Sequence, residues 1–372
     1  MARLVDVCAI QYGFPFDSSK FSDSEGMPLI RIRDVTRGYS ETYTTESYKD
    51  DYVVKENDLL IGMDGEFNIA KWGKSPALLN QRVCRLFPKA NIDRDYLYYF
   101  MPIALKKIES KTPFVTVKHL SAKELNKIEL DVPPMEIQKK VASTMCTIDA
   151  LKKHYEQQLT KLDELIKARF VEMFGNAETT SQAQTKRLEE CCISISGGNT
   201  PSMQHPEYYG GKIPFIKSGD VKSDHISVSS LTLTQIALNE TTVKMLPKGT
   251  LIVVIRSAAL LKEFRIGILD VDAVINQDLK ALQTSDDVLP VYLMWAIKMK
   301  SQVLLSRVQT MLTSHIRMED LLDLKVQIPP LSLQNQFAAF VEEVDKSKLL
   351  ARSFYNSFFN FGHLFNITNR FV

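Results

Sequence analysis

The chain contains an internal duplication, and this feature constrains its fold more than any other. Residues 116–142 align without gaps with residues 312–338, at a constant offset of 196 positions. The identical pairs in this block are His119/His315, Leu125/Leu321, Pro133/Pro329, Pro134/Pro330, Gln138/Gln334 and Ala142/Ala338. An offset of 196 residues between the copies is much longer than the repeat unit of a solenoid, so it predicts a duplicated domain.

Further blocks keep the same order in both halves, while the offset between the copies drifts. Residues 79–81 match 275–277 at an offset of 196, and residues 58–61 match 250–253 at an offset of 192. At an offset of 186, Pro28, Ile30 and Asp34 match Pro214, Ile216 and Asp220. At an offset of 184, Arg3, Leu4 and Gly13 match Arg187, Leu188 and Gly197. Drifting offsets indicate length changes in loops between fixed elements. The sequence thus predicts one scaffold used twice with different loops.

Composition limits the class of protein. Lysine and arginine number 46 against 44 acidic residues, so any affinity for nucleic acid must come from local patches. The odd number of cysteines and the lack of a CxxC or His/Cys spacing predict a reduced, cytoplasmic protein without a metal site. No segment approaches the roughly 20 apolar residues that span a bilayer, and Asp6 interrupts any N-terminal signal sequence. We expect no membrane association and no cofactor.

Each repeat is predicted to be an α+β domain followed by a long helix. Short apolar runs separated by Gly, Pro, Asp and Ser predict strands and turns, and residues 96–111 and 291–308 are the helix candidates inside the two domains. A proline pair then marks the predicted start of each long helix, since proline is accommodated in the first helical turn. The fold class is therefore two tandem, pseudo-twofold related α+β domains, each with a long helix behind it.

The first long helix has the pattern of a coiled coil. Residues 137–174 lack glycine and proline, and Gly175 is a suitable C-cap. About 40 residues at about 1.5 Å each give a rod of about 60 Å. We expect it to pair antiparallel with the second helix, through a seam of Val141, Ile148, Tyr155, Leu162, Phe337, Val341 and Val344. The second helix loses this pattern after Lys348, which leaves open whether this copy is active.

Four segments in this order resemble the specificity subunits of type I restriction-modification systems. They are GGNTPSMQHPEYYGGKIPFIKSGDV at 197–221, TVKHLSAKEL at 116–125, both PP-x-x-x-Q helix starts, and ARFVEMFG at 168–175. The resemblance covers nearly the whole chain. It implies a DNA-binding subunit without catalysis of its own, whose domains each read one half of a split double-stranded DNA target. It also implies that the helices dock two modification subunits, with restriction and translocase subunits in the full complex.

This resemblance gives the following domain prediction. The first target recognition domain is residues 1–132, the first spacer helix 133–175, the linker 176–185, the second recognition domain 186–328, and the C-terminal spacer helix 329–372. Because the loops of the two copies differ, we expect an asymmetric bipartite target. The length of the spacer would then set the gap between its halves.

Polar residues on the variable loops are the candidates for DNA contact, since base readout needs donors and acceptors that reach the groove edges. They are Arg31, Arg33, Lys111, Lys118, His119, Asn199, Thr200, Lys217, Ser218, Arg256, Ser314, His315 and Arg317. The paired histidines could instead orient the helix that follows them. The Asn-Gln pairs at 80–81 and 276–277 favour a structural turn. Phe170 and Phe174, near the end of the first helix, are candidates for partner docking.

The sequence bears on three alternative functions: a nuclease, a methyltransferase and an adaptor. Asp278 and Lys280, with Asp270 or Asp272 upstream, resemble a metal-dependent nuclease pattern, but the pattern is short and the first repeat lacks these carboxylates. The proline pairs lack the adjacent Asn or Asp and the aromatic residue of an adenine methyltransferase loop. A duplicated coiled-coil adaptor that does not read DNA sequence remains the alternative function.

Overall fold

A computed structural model of the chain describes residues 1–73, 76–111, 118–175, 184–310 and 314–364. The beginning of the duplicated block at 116–117 and 312–313, most of the expected linker at 176–183, and residues 365–372 lie outside these ranges. The chain forms two compact units, Met1–Lys153 and His154–Val372, which we describe separately. The boundary falls inside the first long helix.

The first unit consists of short strands and helices. Its strands are β1 (Ala2–Arg3), β2 (Cys8–Tyr12), β3 (Phe21–Ser22), β4 (Met27–Ile30), β5 (Tyr43–Thr44), β6 (Val53–Val54), β7 (Leu59–Gly62), β8 (Asn68–Lys71), β9 (Ala77–Leu79), β10 (Val83–Pro88) and β11 (Glu129–Leu130). Its helices are α1 (Leu4–Val7), α2 (Ile32–Arg37), α3 (Arg94–Lys111), α4 (Ala122–Asn126) and the first part of α5 (Met135–Phe174).

The second unit repeats this plan with longer insertions. Its strands are β12 (Gln184–Arg187), β13 (Cys192–Gly197), β14 (Tyr209–Ile216), β15 (His225–Ile226), β16 (Leu231–Leu233), β17 (Leu251–Val254), β18 (Ile266–Leu269), β19 (Val274–Ile275), β20 (Leu279–Thr284) and β21 (Lys325–Ile328). Its helices are the end of α5, α6 (Gln235–Glu240), α7 (Pro290–Thr310), α8 (Met318–Leu322) and α9 (Leu331–Leu364).

Equivalent strands pair in the same way in the two units. The main sheet has the order β2-β10-β7-β8 in the first unit and β13-β20-β17-β18-β15 in the second. Each unit also has a parallel pair, in which Ile30 faces Leu79 and Ile216 faces Ile275. The pairing of these four residues agrees with the offsets read from the sequence. The duplication is therefore present in the fold.

The glycine alignment of the sequence analysis is wrong by one position because of a β-bulge. Cys8 and Cys192 occupy the same register, facing Pro88 and Thr284, but the next paired residues are Ala9 and Ser194. Ile193 is the extra residue, and its 72% exposure fits a side chain left out of the ladder. The structural equivalent of Gly13 is consequently Gly198 and not Gly197.

The strand β4 ends at Ile30, and the helix α2 begins two residues later, at Ile32. The carboxylate of Asp34, which is fully buried, accepts a hydrogen bond from the backbone N–H of Arg31 (2.8 Å) and so caps this helix. In the second unit, Asp220 accepts the equivalent hydrogen bond from the backbone N–H of Lys217 (2.9 Å), where the chain forms a turn.

The PP-x-x-x-Q spacing that the two copies share has a structural cause. The side chain of Gln138 is buried, and it accepts a hydrogen bond from Asp93 N (2.7 Å) while donating to Asn91 O and Pro133 O. Gln334 makes the equivalent three bonds to Leu289 N, Asp287 O and Pro329 O (2.8–2.9 Å). Each glutamine therefore joins the start of a long helix to its own domain. We call these two sites the glutamine joints.

Inside the second unit, the end of α5 packs antiparallel against α9. Asp163 pairs with Lys348 (2.7 Å), Arg169 lies over the ring of Phe340, and Phe174 contacts Phe337. Three of the expected seam residues, Phe337, Val341 and Val344, are buried in the core of this unit, and Leu162 is half-buried against the same core. The other three, Val141, Ile148 and Tyr155, are also half-buried on α5.

Phe170 and Phe174 do not form the exposed docking patch expected from the sequence. Phe174 is 5% exposed, and both rings contact Tyr292 of α7 and Phe337 of α9. They therefore belong to the core of the second unit. The sequence of α5 shows two apolar residues near the end of the helix, but it does not show which other element covers them.

A second contact recurs between each long helix and its domain. Asp149 and Asp345 occupy equivalent helix positions. Burial and the Asp149 carboxylate raise the pKa of Tyr99, and Asp345 Oδ2 lies 3.4 Å from His225 Nε2. The carboxylate of Asp345, together with that of Asp270, raises the pKa of His225 to about 9. The acidic position is shared by the two copies, whereas the residue that it binds differs.

Candidate nucleic-acid interface

The candidate residues concentrate at one end of each main sheet. In the first unit, the end near the glutamine joint is marked by the backbone bond from Lys89 N to Val7 O (2.8 Å). The other end is formed by Gly13 after β2, Met63 after β7 and Arg82 before β10. Gly198, Ile255 and Asp278 are their equivalents in the second unit. We call this end the distal edge.

The distal edge has the same backbone in both units. Met63 N donates to Arg82 O (2.9 Å), and Ile255 N donates to Asp278 O (2.9 Å). The segment before the next helix is held there as well, since Leu120 N donates to Met63 O (2.7 Å) in one unit and Ile316 N donates to Ile255 O (2.8 Å) in the other. Loops with different side chains are thus fixed on one framework.

A close backbone approach requires glycine at one place on this edge. A Cβ on Gly13 would lie 1.9 Å from the carbonyl oxygen of Asn80, and a Cβ on Gly198 would lie 2.0 Å from that of Ile275. The side chains of Asn80 and Asn276 are buried and accept hydrogen bonds from the backbone of the turn that follows. The contacts of the two asparagines are those of a structural turn.

The two histidines share a backbone role but differ in their side-chain contacts. His119 bridges to Asp64 and His315 bridges to Arg256 through the backbone. The ring of His119 also binds the carboxylate of Asp64 (2.5 Å). His315 lines a cavity of about 500 Å³ with Arg256 and Arg317.

In the second unit, the structure brings several candidates together. Arg256, Ser314, His315 and Arg317 are all exposed at the distal edge, and Ser314 O accepts a hydrogen bond from Ser257 N (2.9 Å). Thr200 hydrogen bonds to Gln277 of the Asn-Gln turn, and Asn199 donates to Thr242 (3.0 Å).

Lys217 and Ser218 adjoin the same turn from the parallel pair. The carbonyl oxygen of Ile216, immediately before Lys217, accepts a hydrogen bond from Asn276 N (3.1 Å). Both side chains are half-buried. The backbone N–H of Lys217 is occupied by the carboxylate of Asp220, as described for the cap above.

In the first unit, Arg31 holds the position equivalent to Lys217 and is exposed. Arg33 lies on α2, 3.7 Å from the Asp34 carboxylate. Lys111 is the last residue of α3, and Lys118 donates to the carbonyl oxygen of Glu109 in that helix (2.9 Å). These four basic candidates of the first unit therefore lie in two regions, around α2 and at the end of α3.

Sequence reasoning missed Arg82, which lies at the distal edge with a left-handed backbone (φ 71°). The sequence signal for Arg82 is its alignment with Asp278, a residue of the nuclease-like pattern. The structure gives separate partners to the acids of that pattern: Asp270 binds His225, the side chain of Asp272 accepts from Lys248 N (2.8 Å), and Asp278 faces Arg256.

Two searches of the described residues concern other classes of site. Among them, no group of three or more His, Cys, Asp or Glu side chains is arranged to hold a metal ion. Within the described part of the chain, no helix is both long enough and apolar enough to cross a membrane.

Comparison with known proteins relates this scaffold to one kind of protein. The alignment with the type I restriction enzyme EcoBI specificity subunit of Escherichia coli has 39% identity over 163 residues, covering 43% of this chain and 34% of that protein. The MjaVIII specificity subunit of Methanocaldococcus jannaschii is 22% identical over 359 residues, covering 86% of this chain and 82% of that protein. The chain thus matches about a third of the EcoBI subunit and most of the MjaVIII subunit.

The fold comparison and the family model agree with these relatives. A crystal structure of the type I restriction-modification system S subunit from M. genitalium superposes with a TM-score of 0.57 at 12% identity, over 96% of this chain and 91% of that one, which is a likeness of fold. The model of the type I restriction modification DNA specificity domain matches twice, at residues 1–161 and 180–352. The chain therefore belongs to the type I restriction-modification DNA specificity family and carries two copies of its domain.

Proposed function

We propose that the chain reads an asymmetric, bipartite DNA sequence, with one unit for each half. The observation that carries this proposal is the distal edge: its backbone is the same in both units, but its exposed side chains differ. A common framework places polar groups at equivalent points, and different donors and acceptors select different base pairs. The proposed recognition domains are residues 1–132 and 186–328, and residues 133–175 and 329–372 are the spacer helices.

The proposed partners follow from the family. Double-stranded DNA is the ligand, and two modification subunits dock on the spacer helices and supply adenine methylation. Restriction and translocase subunits join them in the full complex. The chain itself contributes recognition and no catalytic group. A net charge of +2 supports weak binding of DNA by the isolated chain, because phosphate contacts supply much of the affinity of any DNA-binding protein.

Methylation sequencing tests this function. We expect cells that express the chain with its modification subunit to carry methyladenine in a split motif, with one specified stretch on each side of an unspecified gap. Cells that express the modification subunit alone serve as the control and should lack the motif. If the complex assembles but directs no sequence preference, the chain is an adaptor and the proposal is wrong.

A further inference from the structure

An ion pair at the distal edge occurs in both units with its charges exchanged. Positions 64 and 256 are equivalent, since each forms the backbone bridge to the histidine that recurs in both units, His119 or His315. Arg82 and Asp278 are equivalent because each accepts the same backbone hydrogen bond, from Met63 and Ile255. The first unit therefore has Asp64 where the second has an arginine, and Arg82 where the second has an aspartate.

The two side chains face each other in both copies. Arg82 Nη1 lies 3.2 Å from Asp64 Oδ2, and Arg256 Nη1 lies 3.8 Å from Asp278 Oδ1. Random divergence of two facing polar positions would more often leave like charges or no pair. Both units thus have a pair of opposite charges at these two positions, but the arginine and the aspartate have changed places between the strands.

In both copies the carboxylate is shielded and the guanidinium faces solvent. The Asp64 and Asp278 side chains are 19% and 23% exposed, whereas those of Arg82 and Arg256 are 52% and 64% exposed. A second polar group holds each carboxylate: the ring of His119 binds Asp64, and Asn276 Nδ2 donates to Asp278 (2.9 Å). Each pair is thus a fixed acid that orients an exposed arginine.

We infer that Arg82 and Arg256 are specificity-determining residues that each read a guanine, one in each half of the target. This inference rests on the proposed function and deepens it. A guanidinium has five N–H donors, two of which can form parallel hydrogen bonds to O6 and N7 of guanine in the major groove. Arg82 Nη1 donates to Asp64 Oδ1 (3.3 Å), and Arg256 makes an ion-pair contact with Asp278 at 3.8 Å, so each guanidinium keeps N–H groups for the base. Holding the side chain in advance also reduces the entropy lost on binding.

The exchange of charges explains how the two halves differ at this point. In the first unit the arginine comes from the start of β10, and in the second it comes from the end of β17. The same edge therefore presents its guanidinium from different strands. We expect the guanine to occupy different positions within the two half-sites. Asp64 and Asp278 act as positioning residues, because they act through the arginine.

Lysine substitutions separate base readout from charge. Arg82→Lys and Arg256→Lys keep the positive charge that a phosphate contact needs but cannot form the planar, bidentate contact with guanine. The full chain is expressed with its modification subunit, and methylation is scored at every variant of the motif found with the wild-type chain. We expect Arg82→Lys to raise methylation of sites with a wrong base at one guanine of one half by roughly tenfold or more. Arg256→Lys should do the same in the other half only.

The positioning role has its own control. Asp64→Asn should relax the same base pair as Arg82→Lys, and Asp278→Asn the same base pair as Arg256→Lys, while emission from the single tryptophan of each unit, Trp72 or Trp295, shows that both remain folded. Unchanged base requirements in the lysine variants, or an equal loss at every position, would overturn the assignment. A wild-type chain that directs no split motif would overturn the proposed function as well. A wild-type motif with unrelaxed variants overturns the arginine assignment alone.

Discussion

Replacing Gln334 by alanine should destabilise the second unit by about 3 kcal/mol, because Leu289 N and the carbonyl oxygens of Asp287 and Pro329 lose their partner together. The side chain is fully buried, so water cannot readily replace it. Gln334→Glu should be worse, since its carboxylate would face the two carbonyl oxygens that now accept hydrogen bonds from the amide. Gln138→Ala should have the equivalent effect on the first unit.

The two tryptophans make this prediction measurable in the intact chain. Trp72 lies in the core of the first unit and Trp295 in the core of the second, and the sequence contains no others. In a Trp72→Phe background, urea unfolding followed by fluorescence reports the second unit. Gln336→Ala, at an exposed neighbouring position, is the matched control and should change the free energy of unfolding by less than about 0.5 kcal/mol. A Gln334→Ala variant as stable as this control would show that the joint does not hold the helix to its domain.

Arg85→Ala should destabilise the first unit by about 3–5 kcal/mol. Arg85 is only 5% exposed, and its guanidinium bonds to Asp58 (2.8 Å), Gln11 (2.6 Å) and the carbonyl oxygens of Asp51 and Val53. Its removal leaves the Asp58 carboxylate without its cationic partner, although Asp58 still accepts from Lys55 N and Asp51 O still accepts from Gln11 Nε2. The carbonyl oxygen of Val53 loses the bond from Arg85. The Trp295→Phe background reports unfolding of this unit.

The second repeat supplies the control for this prediction. At the positions equivalent to Asp58 and Arg85 it has Thr250 and Ala281, both buried. The double variant Asp58→Thr, Arg85→Ala therefore copies a solution that the same scaffold already uses. We expect it to recover at least about 1 kcal/mol relative to Arg85→Ala, because no unpaired carboxylate remains. A double variant whose loss equals or exceeds the sum of the single losses would contradict this view of the buried pair.

The sequence predicted the features that depend on regular patterns. The duplication, the long helix α5 and both proline-led helix starts follow from constant offsets and from the absence of glycine and proline over many residues. The bulge at Ile193 could not be predicted, because a single extra residue in a short strand leaves no trace in an alignment with loops of variable length.

The features missed from sequence depend on contacts between distant segments. The rings of Phe170 and Phe174 are covered by α7 and α9, which are distant in the sequence. To recognise the exchanged ion pair in the sequence, two offsets must be applied together, 192 for Asp64 and 196 for Arg82. Neither residue alone therefore suggested a site. Side chains at a recognition surface are specified by a ligand, and the regular pattern of the fold does not encode them.

Exchange of one recognition domain tests the central claim, that each unit reads its own half of the target, most directly. Residues 1–132 are replaced by the same region of a relative with a different target, the spacer helices are kept, and methylated motifs are determined by sequencing. We predict that one half of the split motif changes to that of the relative, while the other half remains. If both halves change, or if an active chimera keeps the original motif, the assignment of one unit to one half is wrong.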